Sequence, residues 1–230
     1  MIRHLGIILD GNRRFAKRLM LQPWKGHEWG AKKVRALMDW SRELGIKELT
    51  LYAFSIQNFN RPKPEFDYIT NLFRKEFTDL NSTENLSELA KRGVRITFIG
   101  RTHMFSSDIQ QSMKTLMEHT KDNKTLTVNF AMAYGGQEEI LDAISAMAEK
   151  IKNGTIREIT KDVFEKYLYT NSEPELIIRT GGDHRTSNFL IWQSWYSEWL
   201  FLDKFWPEFE KADLETALQD YENRERRFGK

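Results

Sequence analysis

The sequence predicts an α/β protein, a single domain over residues 1–230 with a mainly parallel central sheet flanked by helices. Short apolar segments alternate with longer amphipathic ones along the chain, which is typical of a parallel sheet with helices on both faces. Apolar residues make up 40% of the 230 residues, enough for a sizeable core. No internal repeat or linker-like change of composition divides the chain, so we expect one domain.

The first half of the chain contains three predicted strands and two predicted helices. Apolar runs predict strands over residues 4–9, 47–54 and 94–99. Apolar positions at helical spacing predict helices over residues 28–44 and 64–92. Gly45 and Gly93 follow these helices, as glycine often does at a helix end. The length of the second helix favours a break within it.

The second half continues the alternation with three strands and four helices. Apolar runs predict strands over residues 126–130, 175–178 and 198–202. Helical spacing predicts helices over residues 107–121, 137–152, 160–168 and 212–224. Gly154 closes the second of these helices, and Thr160 is the candidate N-cap of the third.

Composition excludes several classes of protein. Lys and Arg total 35 against 33 Asp and Glu, too even a balance for a dedicated duplex-DNA binder, so no nucleic-acid partner is expected. The absence of cysteine excludes disulfides and thiolate zinc sites. No apolar run approaches the ~18–20 residues of a membrane span, and no signal-peptide pattern is present. We therefore expect a soluble cytoplasmic protein.

Polar segments rich in glycine and arginine follow three of the predicted strands. They are residues 10–15 (DGNRRF), 54–62 (FSIQNFNRP) and 179–188 (RTGGDHRTSN). Ligands of open α/β sheets bind beyond the carboxyl ends of the strands. Arginine forks and loop N–H groups suit phosphate oxygens. The three segments together predict a site for several phosphate groups, or for more than one phosphorylated ligand.

Each segment alone has an ordinary structural explanation. Asp10-Gly11 is a common turn sequence, and a lone Arg61 or Arg179 is most often a surface ion pair. His27 alone suits a structural histidine, and the basic residues 13–25 suit a solvated face. Familiar phosphate motifs are missing, since the chain contains neither a P-loop nor a G-x-G-x-x-G motif. It also lacks the Asp-Asp-x-x-Asp motif of the all-helical prenyl synthases. The 13% aromatic content suits a large core or an apolar pocket.

In combination, these segments resemble the cis-prenyltransferases, the isoprenyl transferase family typified by undecaprenyl diphosphate synthase. The resemblance runs from about His4 to the C-terminus. Its motifs are DGNRR at 10–14, GH at 26–27, LYAFS at 51–55, N-x-x-RP at 58–62, YGG at 134–136, IRTGG-x-x-R-x-SNF at 178–189, WP at 206–207 and NRERRFG at 223–229.

The resemblance implies an enzyme that condenses isopentenyl diphosphate with an allylic prenyl diphosphate and forms a Z double bond, so that the polyprenyl diphosphate product has mixed Z and E bonds. The catalytic residues that it implies are Asp10 and Asn58. The substrate-binding residues that it implies are Gly11, Asn12, Arg13, Arg14, Phe15, His27, Ser55, Phe59, Arg61, Arg179, Arg185, Thr186, Ser187, Arg227 and Gly229.

The resemblance also implies a cofactor and partners. Mg²⁺ would be held by Asp10 with Glu198 and His184, although imidazole is softer than Mg²⁺ prefers. The terminal Arg227 and Gly229 imply a homodimer in which they reach the neighbouring site. The product's hydrocarbon chain implies an apolar tunnel, for which Leu72, Phe73 and Phe77 are candidate lining residues with an ordinary core role as the alternative. Peripheral contact with a membrane would serve product release.

Departures from the family pattern leave alternatives open. Phe15 and Phe59 stand where many members carry Trp, and Asp183 replaces the more usual Glu. Pro23 replaces an Arg that normally helps to hold the allylic diphosphate. Lys25 or Arg13 are candidate substitutes, although Lys lacks the guanidinium fork. The alternatives are prenyl transfer to a different acceptor and a non-catalytic prenyl-diphosphate-binding subunit.

Overall fold

Six parallel strands form one sheet in the computed structural model, which describes residues 2–224. The spatial order is β3-β4-β2-β1-β5-β6, and each adjacent pair is parallel. The strands are β1 (His4–Ile8), β2 (Glu48–Ser55), β3 (Val94–Ile99), β4 (Leu126–Tyr134), β5 (Leu176–Arg179) and β6 (Glu198–Phe201). The predicted fold class and all six strands are confirmed, and β4 extends four residues beyond its predicted end.

The helices pack on both faces of this sheet. They are α1 (Asn12–Arg18), α2 (Gly26–Glu43), α3 (Lys63–Leu80), α4 (Thr83–Arg92), α5 (Ser107–Thr120), α6 (Gly136–Lys152), α7 (Lys161–Glu165) and α8 (Lys211–Asn223). The expected break in the long helix lies between Leu80 and Thr83, where the Ser82 side chain caps α4 by accepting a hydrogen bond from the Asn85 N–H. Thr160 caps α7 as expected.

Alternate residues of the strands feed two separate cores. Leu5 and Ile7 of β1 point into the larger core, which includes residues of α2, α3, α4, α5 and α8. Ile8 points to the opposite face, where it packs with Phe189 and other residues of a smaller core. Strands buried on both faces have the continuous apolar sequence seen here.

Helix α1 was not among the helices predicted from apolar spacing, and it is the element that positions the β1 loop. It begins after Gly11, which has a φ of +103°. Its first turn lies so close to α2 that a Cβ atom at Gly26 would collide with the Asn12 carbonyl oxygen. The spacing of apolar residues does not reveal α1, because its sequence is mostly polar. Its packing depends on a glycine in the next helix rather than on an apolar stripe of its own.

Within residues 2–224, none of the helices combines the length and hydrophobicity that crossing a membrane requires.

Candidate active site

The loops after β1, β2 and β5 meet at one edge of the sheet, as expected for parallel strands. Strand β1 lies between β2 and β5. The chain moves to one side of β1 when it forms β2 and to the other side when it forms β5. Such a reversal opens a crevice at the carboxyl ends of the strands. Asp10 on the β1 loop and Ser187 on the β5 loop (residues 180–188) both line the cavity that begins at this crevice.

Asp10 and Arg179 join the two loops. Arg179 Nη2 donates to Asp10 Oδ2 over 2.8 Å, and Nη1 of the same side chain donates to Ser187 Oγ over 2.7 Å. Arg179 is only 3% exposed. Thr180 adds a second connection, since its Oγ1 lies 3.1 Å from the Asp10 N–H nitrogen. The buried guanidinium therefore fixes the Asp10 carboxylate relative to the β5 loop.

Asp183 holds two arginines beside Asp10. Arg14 Nη2 lies 2.9 Å from Asp183 Oδ2 and 3.2 Å from Asp10 Oδ1. Arg185 donates to Asp183 Oδ1 over 2.9 Å. Partial burial raises the pKa of Asp183, but the hydrogen bond from Arg185 and the charges of Arg14, Arg185 and Arg179 outweigh it and lower the pKa. Sequence reasoning identified Asp183 only as a departure from the family and missed this role.

A second arginine cluster forms where α1, α2 and α3 meet. Glu65 is 2% exposed, and its Oε1 accepts a hydrogen bond from Arg61 and lies 3.4 Å from Arg13 Nε. Arg61 Nη1 lies 3.4 Å from His27 Nε2. Glu65 was missed, because its position on an amphipathic helix carries no signal beyond the i, i+4 spacing from Arg61.

His27 is a neutral imidazole in this setting. Burial lowers its pKa, and the neighbouring positive charges of Arg61 and Arg13 lower it further, to about 3. A neutral ring leaves one nitrogen free to accept a hydrogen bond. His27 lines the same cavity as Asp10 and Arg61.

Asn58 sits in the short turn Ile56–Asn60 that follows β2. Its side-chain oxygen accepts a hydrogen bond from the Ser55 N–H over 3.0 Å, and the Ser55 side chain accepts one from the Asn58 backbone. This reciprocal pair holds the Asn58 amide in place at the cavity wall. Asn58 and Ser55 both line the cavity.

The cavity is about 670 Å³ and runs from this polar rim between α2 and α3. Such a volume is within the usual range of ~300–1,000 Å³ for ligand sites. Beyond the rim the lining is mainly apolar and includes the predicted Leu72, Phe73 and Phe77. Val34 and Met38 of α2 face them.

Charged residues also line the apolar part of the cavity. Arg35 on α2 and Glu76 on α3 line the cavity there. Arg35 Nη2 lies 3.0 Å from Glu76 Oε2 and 2.6 Å from Asp79 Oδ2. This ion pair therefore links α2 to α3 beside the cavity.

Some predicted site residues lie elsewhere. Phe15 stacks edge-on against Trp29, Phe59 packs in an aromatic cluster with Phe54, and Thr186 is exposed on the β5 loop. Among the described residues, the cavity lining lacks these three and also Gly11, Arg13, Arg14 and Arg179. Their substrate-binding roles stay predictions. Arg227 and Gly229 lie outside the described residues.

The three predicted metal ligands do not meet within residues 2–224. Glu198 pairs in register with Leu176 at the amino end of β6, whereas Asp10 follows the carboxyl end of β1. The Oε2 atom of Glu198 accepts a hydrogen bond from Arg224 over 2.6 Å. His184 stacks on Phe201, with ring centroids 4.9 Å apart. Their roles as metal ligands stay predictions.

Asp10 on its own suits a magnesium ion. Mg²⁺ is commonly held by one or two carboxylates, with substrate phosphates and waters completing its coordination. The β5 loop comes close enough to Asp10 that a Cβ at Gly181 would lie 2.8 Å from Arg14 Nη2 and 3.1 Å from the Asp10 carbonyl carbon. The loop thus leaves a cradle between Asp10 and Arg14 that a larger residue would fill.

Comparison with known proteins decides the family. The family model "Putative undecaprenyl diphosphate synthase" matches residues 8–229. The chain belongs to this prenyltransferase family. It is 46% identical to a tritrans,polycis-undecaprenyl-diphosphate synthase (geranylgeranyl-diphosphate specific) of Methanocaldococcus jannaschii, over 99% of this chain and 82% of the relative. It is 42% identical to an isoprenyl transferase of Thermus thermophilus, over 100% and 89% of the two chains.

Solved structures of the prenyltransferase family share the fold. The lavandulyl diphosphate synthase of Lavandula x intermedia, solved with dimethylallyl diphosphate, superposes with a TM-score of 0.90 at 32% identity, covering 100% of this chain and 98% of the other. A probable undecaprenyl diphosphate synthase of Campylobacter jejuni gives a TM-score of 0.83 at 30% identity, covering 100% and 99%. The expected family and transferase activity are confirmed. The names of the relatives indicate that this prenyltransferase is a cis-prenyl diphosphate synthase.

The structure separates the two candidate substitutes for the missing arginine at Pro23. Lys25 Nζ lies 3.3 Å from Glu28 Oε1 and 5.0 Å from the centre of the Tyr68 ring. Arg13 is instead joined through Glu65 to Arg61 at the cavity rim. Arg13 is thus linked to a cavity-lining residue and Lys25 is not, and which of them replaces the missing guanidinium stays a prediction.

Proposed function

We propose that the chain condenses an allylic prenyl diphosphate with isopentenyl diphosphate, forming Z double bonds and releasing inorganic diphosphate. The observation that carries this proposal is the continuity of the cavity. Its rim holds Asp10 and Arg61 and its interior holds Leu72 and Phe77. An anionic head and a hydrocarbon tail are the two chemistries that such a cavity accommodates.

Ionisation of the allylic C–O bond creates carbocation character on the prenyl carbon and negative charge on the departing diphosphate. Positive charge placed where that negative charge develops lowers the barrier. Arg61 supplies such charge at the rim, Arg14 supplies it through its contact with Asp10, and Arg13 adds to it through its link to Arg61 by way of Glu65. Asp10 would hold Mg²⁺, which when bound would neutralise further charge on the leaving diphosphate.

The second substrate binds, in this proposal, on the β5 loop. Arg185 and Ser187 line the cavity opposite α2 and α3. Arg179 donates hydrogen bonds to both Ser187 and Asp10, so it positions the β5 loop and the β1 loop relative to each other. Because Arg179 is buried, we assign it the role of orienting Asp10 and Ser187. This role is in addition to any contact that it makes with isopentenyl diphosphate.

Formation of the new double bond requires loss of a proton from isopentenyl diphosphate after the new C–C bond forms. An amide is a poor base, so Asn58 orients the substrate or relays the proton, with a diphosphate oxygen as the acceptor. The hydrogen bond from the Ser55 N–H fixes the Asn58 amide for that task.

The growing chain occupies the apolar cavity as a tunnel. Each buried CH₂ group contributes ~0.8 kcal/mol, so elongation draws the tail inward past Leu72 and Phe77. The Methanocaldococcus jannaschii relative is named as geranylgeranyl-diphosphate specific. We infer a long allylic primer of that kind for this chain.

A homodimer and peripheral membrane contact complete the proposal. Leu141 and Ile144 lie three residues apart on α6 and are exposed apolar side chains. This surface suits a second copy, whose Arg227 and Gly229 would reach the site. The hydrocarbon product is released to a membrane surface by a cytoplasmic enzyme.

The test is incubation of the purified protein with labelled isopentenyl diphosphate, Mg²⁺ and allylic primers from C5 to C20. We expect label in the butanol-extractable lipid, with the C20 primer preferred. Asp10→Ala should lower kcat by orders of magnitude, whereas Asp162→Ala, on the surface helix α7, should not. Absence of labelled lipid with every primer contradicts the proposal, as does near-normal turnover of Asp10→Ala.

A further inference from the structure

An exposed apolar tip lies at the end of α1. Leu19, Met20 and Leu21 are consecutive, and their exposed fractions are 44%, 94% and 41%. Single exposed apolar residues are common on protein surfaces, but contiguous ones mark contact sites. None of the three lines the described cavity.

Met20 occupies a position where glycine is the usual residue. The Met20 N–H donates to the Lys17 carbonyl and the Leu21 N–H to the Ala16 carbonyl, each over 2.9 Å. These two bonds form the Schellman motif, which needs a left-handed residue after the helix. Met20 has a φ of 57°. Glycine would adopt this conformation without strain, so the fold alone does not explain a large apolar side chain here.

Trp29 of α2 packs against Phe15 of α1, one helical turn before Leu19. Its ring lies 5.9 Å from the Phe15 ring, edge to face, and the Leu19 N–H lies 3.3 Å from the Phe15 carbonyl oxygen. Trp29 is exposed. Tryptophan is favoured at membrane interfaces because its ring is apolar and its N–H is polar.

Basic residues are frequent in the segment that carries this surface. Residues 13–33 contain seven Lys or Arg and one Glu, whereas the whole chain has 35 basic and 33 acidic residues. Lys17 and Lys32 are exposed. Five of these cations pair with carboxylates: Arg13, Arg14, Arg18, Lys25 and Lys33. The charges of Lys17 and Lys32 complement an anionic surface, and their combination with apolar side chains is typical of interfacial membrane binding.

We propose that Leu19, Met20, Leu21 and Trp29 dock on an anionic lipid bilayer, with Lys17 and Lys32 contacting lipid phosphates. Helix α1 has seven residues, so the tip lies about 10 Å from the Asp10 loop. Bound in this way, the enzyme holds its reaction site close to the lipid surface. The use of the contact for product release rests on the proposed function, but the contact itself does not.

The experiment is co-sedimentation of the full chain with vesicles of phosphatidylcholine, with and without phosphatidylglycerol. We expect binding to the anionic vesicles that weakens with salt. Met20→Gly should weaken this binding several-fold and leave the thermal unfolding midpoint unchanged or raised, because glycine suits the left-handed position. Leu19→Ser with Leu21→Ser, and Lys17→Glu with Lys32→Glu, should each weaken it by about tenfold or more.

Ile159→Ser is the matched control, because Ile159 is 64% exposed and outside the tip. It should bind vesicles like the unaltered chain. Failure of the unaltered chain to bind, or unchanged binding by Met20→Gly, overturns the proposal. A change in the sedimenting mass of the protein alone, caused by the tip variants, overturns it in favour of a protein interface. Because the assay contains no substrate, its outcome is independent of the transferase test.

Discussion

The Nη1 atom of Arg61 lies 3.4 Å from the Nε2 atom of His27, and the same guanidinium binds the buried carboxylate of Glu65. The pair brings together residues from α2 and the segment before α3, two elements that also form the walls of the apolar cavity. His27 is kept neutral, and Arg61 is held at the rim by a carboxylate of its own chain.

The first prediction concerns the pKa of His27. It is lowered to about 3 by burial and by Arg61 and Arg13, so Arg61→Gln should raise it toward the ordinary value of ~6.5. NMR titration of the ring nitrogens measures this change. In the unaltered chain, the unfolded state takes up the proton first as the pH falls. The contribution of His27 to the free energy of unfolding is therefore complete above pH ~6.5 and is lost between pH ~6.5 and about 3. A ring that titrates near pH 6.5 in the unaltered chain contradicts this account.

The second prediction concerns Glu65. Glu65→Gln keeps the shape but removes the charge that anchors Arg61 and Arg13, so both guanidinium groups should lose their fixed positions. We expect kcat/KM for the allylic primer to fall by about tenfold or more, equivalent to ~1.4 kcal/mol. Glu88→Gln, which alters an exposed ion pair with Lys91 on α4, is the control and should have little effect. Equal kcat/KM values for the two variants would show that Glu65 does not contribute to the site.

The third prediction concerns the contact of α1 with α2. A Cβ at Gly26 would collide with the backbone oxygen of Asn12, and backbone moves less readily than a side chain. Gly26→Ala should lower the free energy of unfolding by about 1–3 kcal/mol and weaken primer binding by displacing the start of α1. Gly154→Ala, where no heavy atom lies within 4 Å of the added Cβ but φ is +75°, separates backbone strain from collision. Denaturant unfolding of both variants should show the larger loss at Gly26.

The fourth prediction concerns product length. Arg35 and Glu76 place charge in the cavity wall, and an apolar chain that reaches this ion pair must desolvate it. Arg35→Leu with Glu76→Leu should therefore shift the products to longer chains in thin-layer or mass analysis. Arg92→Leu with Asp39→Leu removes a comparable ion pair on the surface and should leave chain length unchanged. Identical product distributions for the two double variants would show that the Arg35–Glu76 ion pair does not limit chain elongation.

Much of this architecture was predictable, because the spacing of apolar residues along the sequence indicates which segments are buried. The strands are buried on both faces, so apolar runs such as residues 4–9 were recognisable, and Gly93 marked the end of α4. The cavity-lining Leu72, Phe73 and Phe77 were also identified, since an apolar helix stripe predicts a buried face without saying whether core or cavity lies against it.

The missed features depend on contacts between distant segments. Helix α1 is polar and short, and Gly26 rather than its own sequence permits its packing. Glu65 and Asp183 look like surface carboxylates until the fold places arginines around them. Phe59 packs against Phe54 in an aromatic cluster, and its predicted contact with substrate stays a prediction.

The central claim is that the diphosphate sits at the Asp10 rim while the hydrocarbon tail lies between α2 and α3. Photocrosslinking with an allylic diphosphate that carries a diazirine at the end of its tail tests it most directly, with peptide mapping by mass spectrometry. We predict adducts on α3 at Leu72, Phe73 or Phe77, suppressed by unlabelled geranylgeranyl diphosphate and by Asp10→Ala. Adducts confined to outer surfaces such as α6, or adducts unaffected by competitor, would contradict the account.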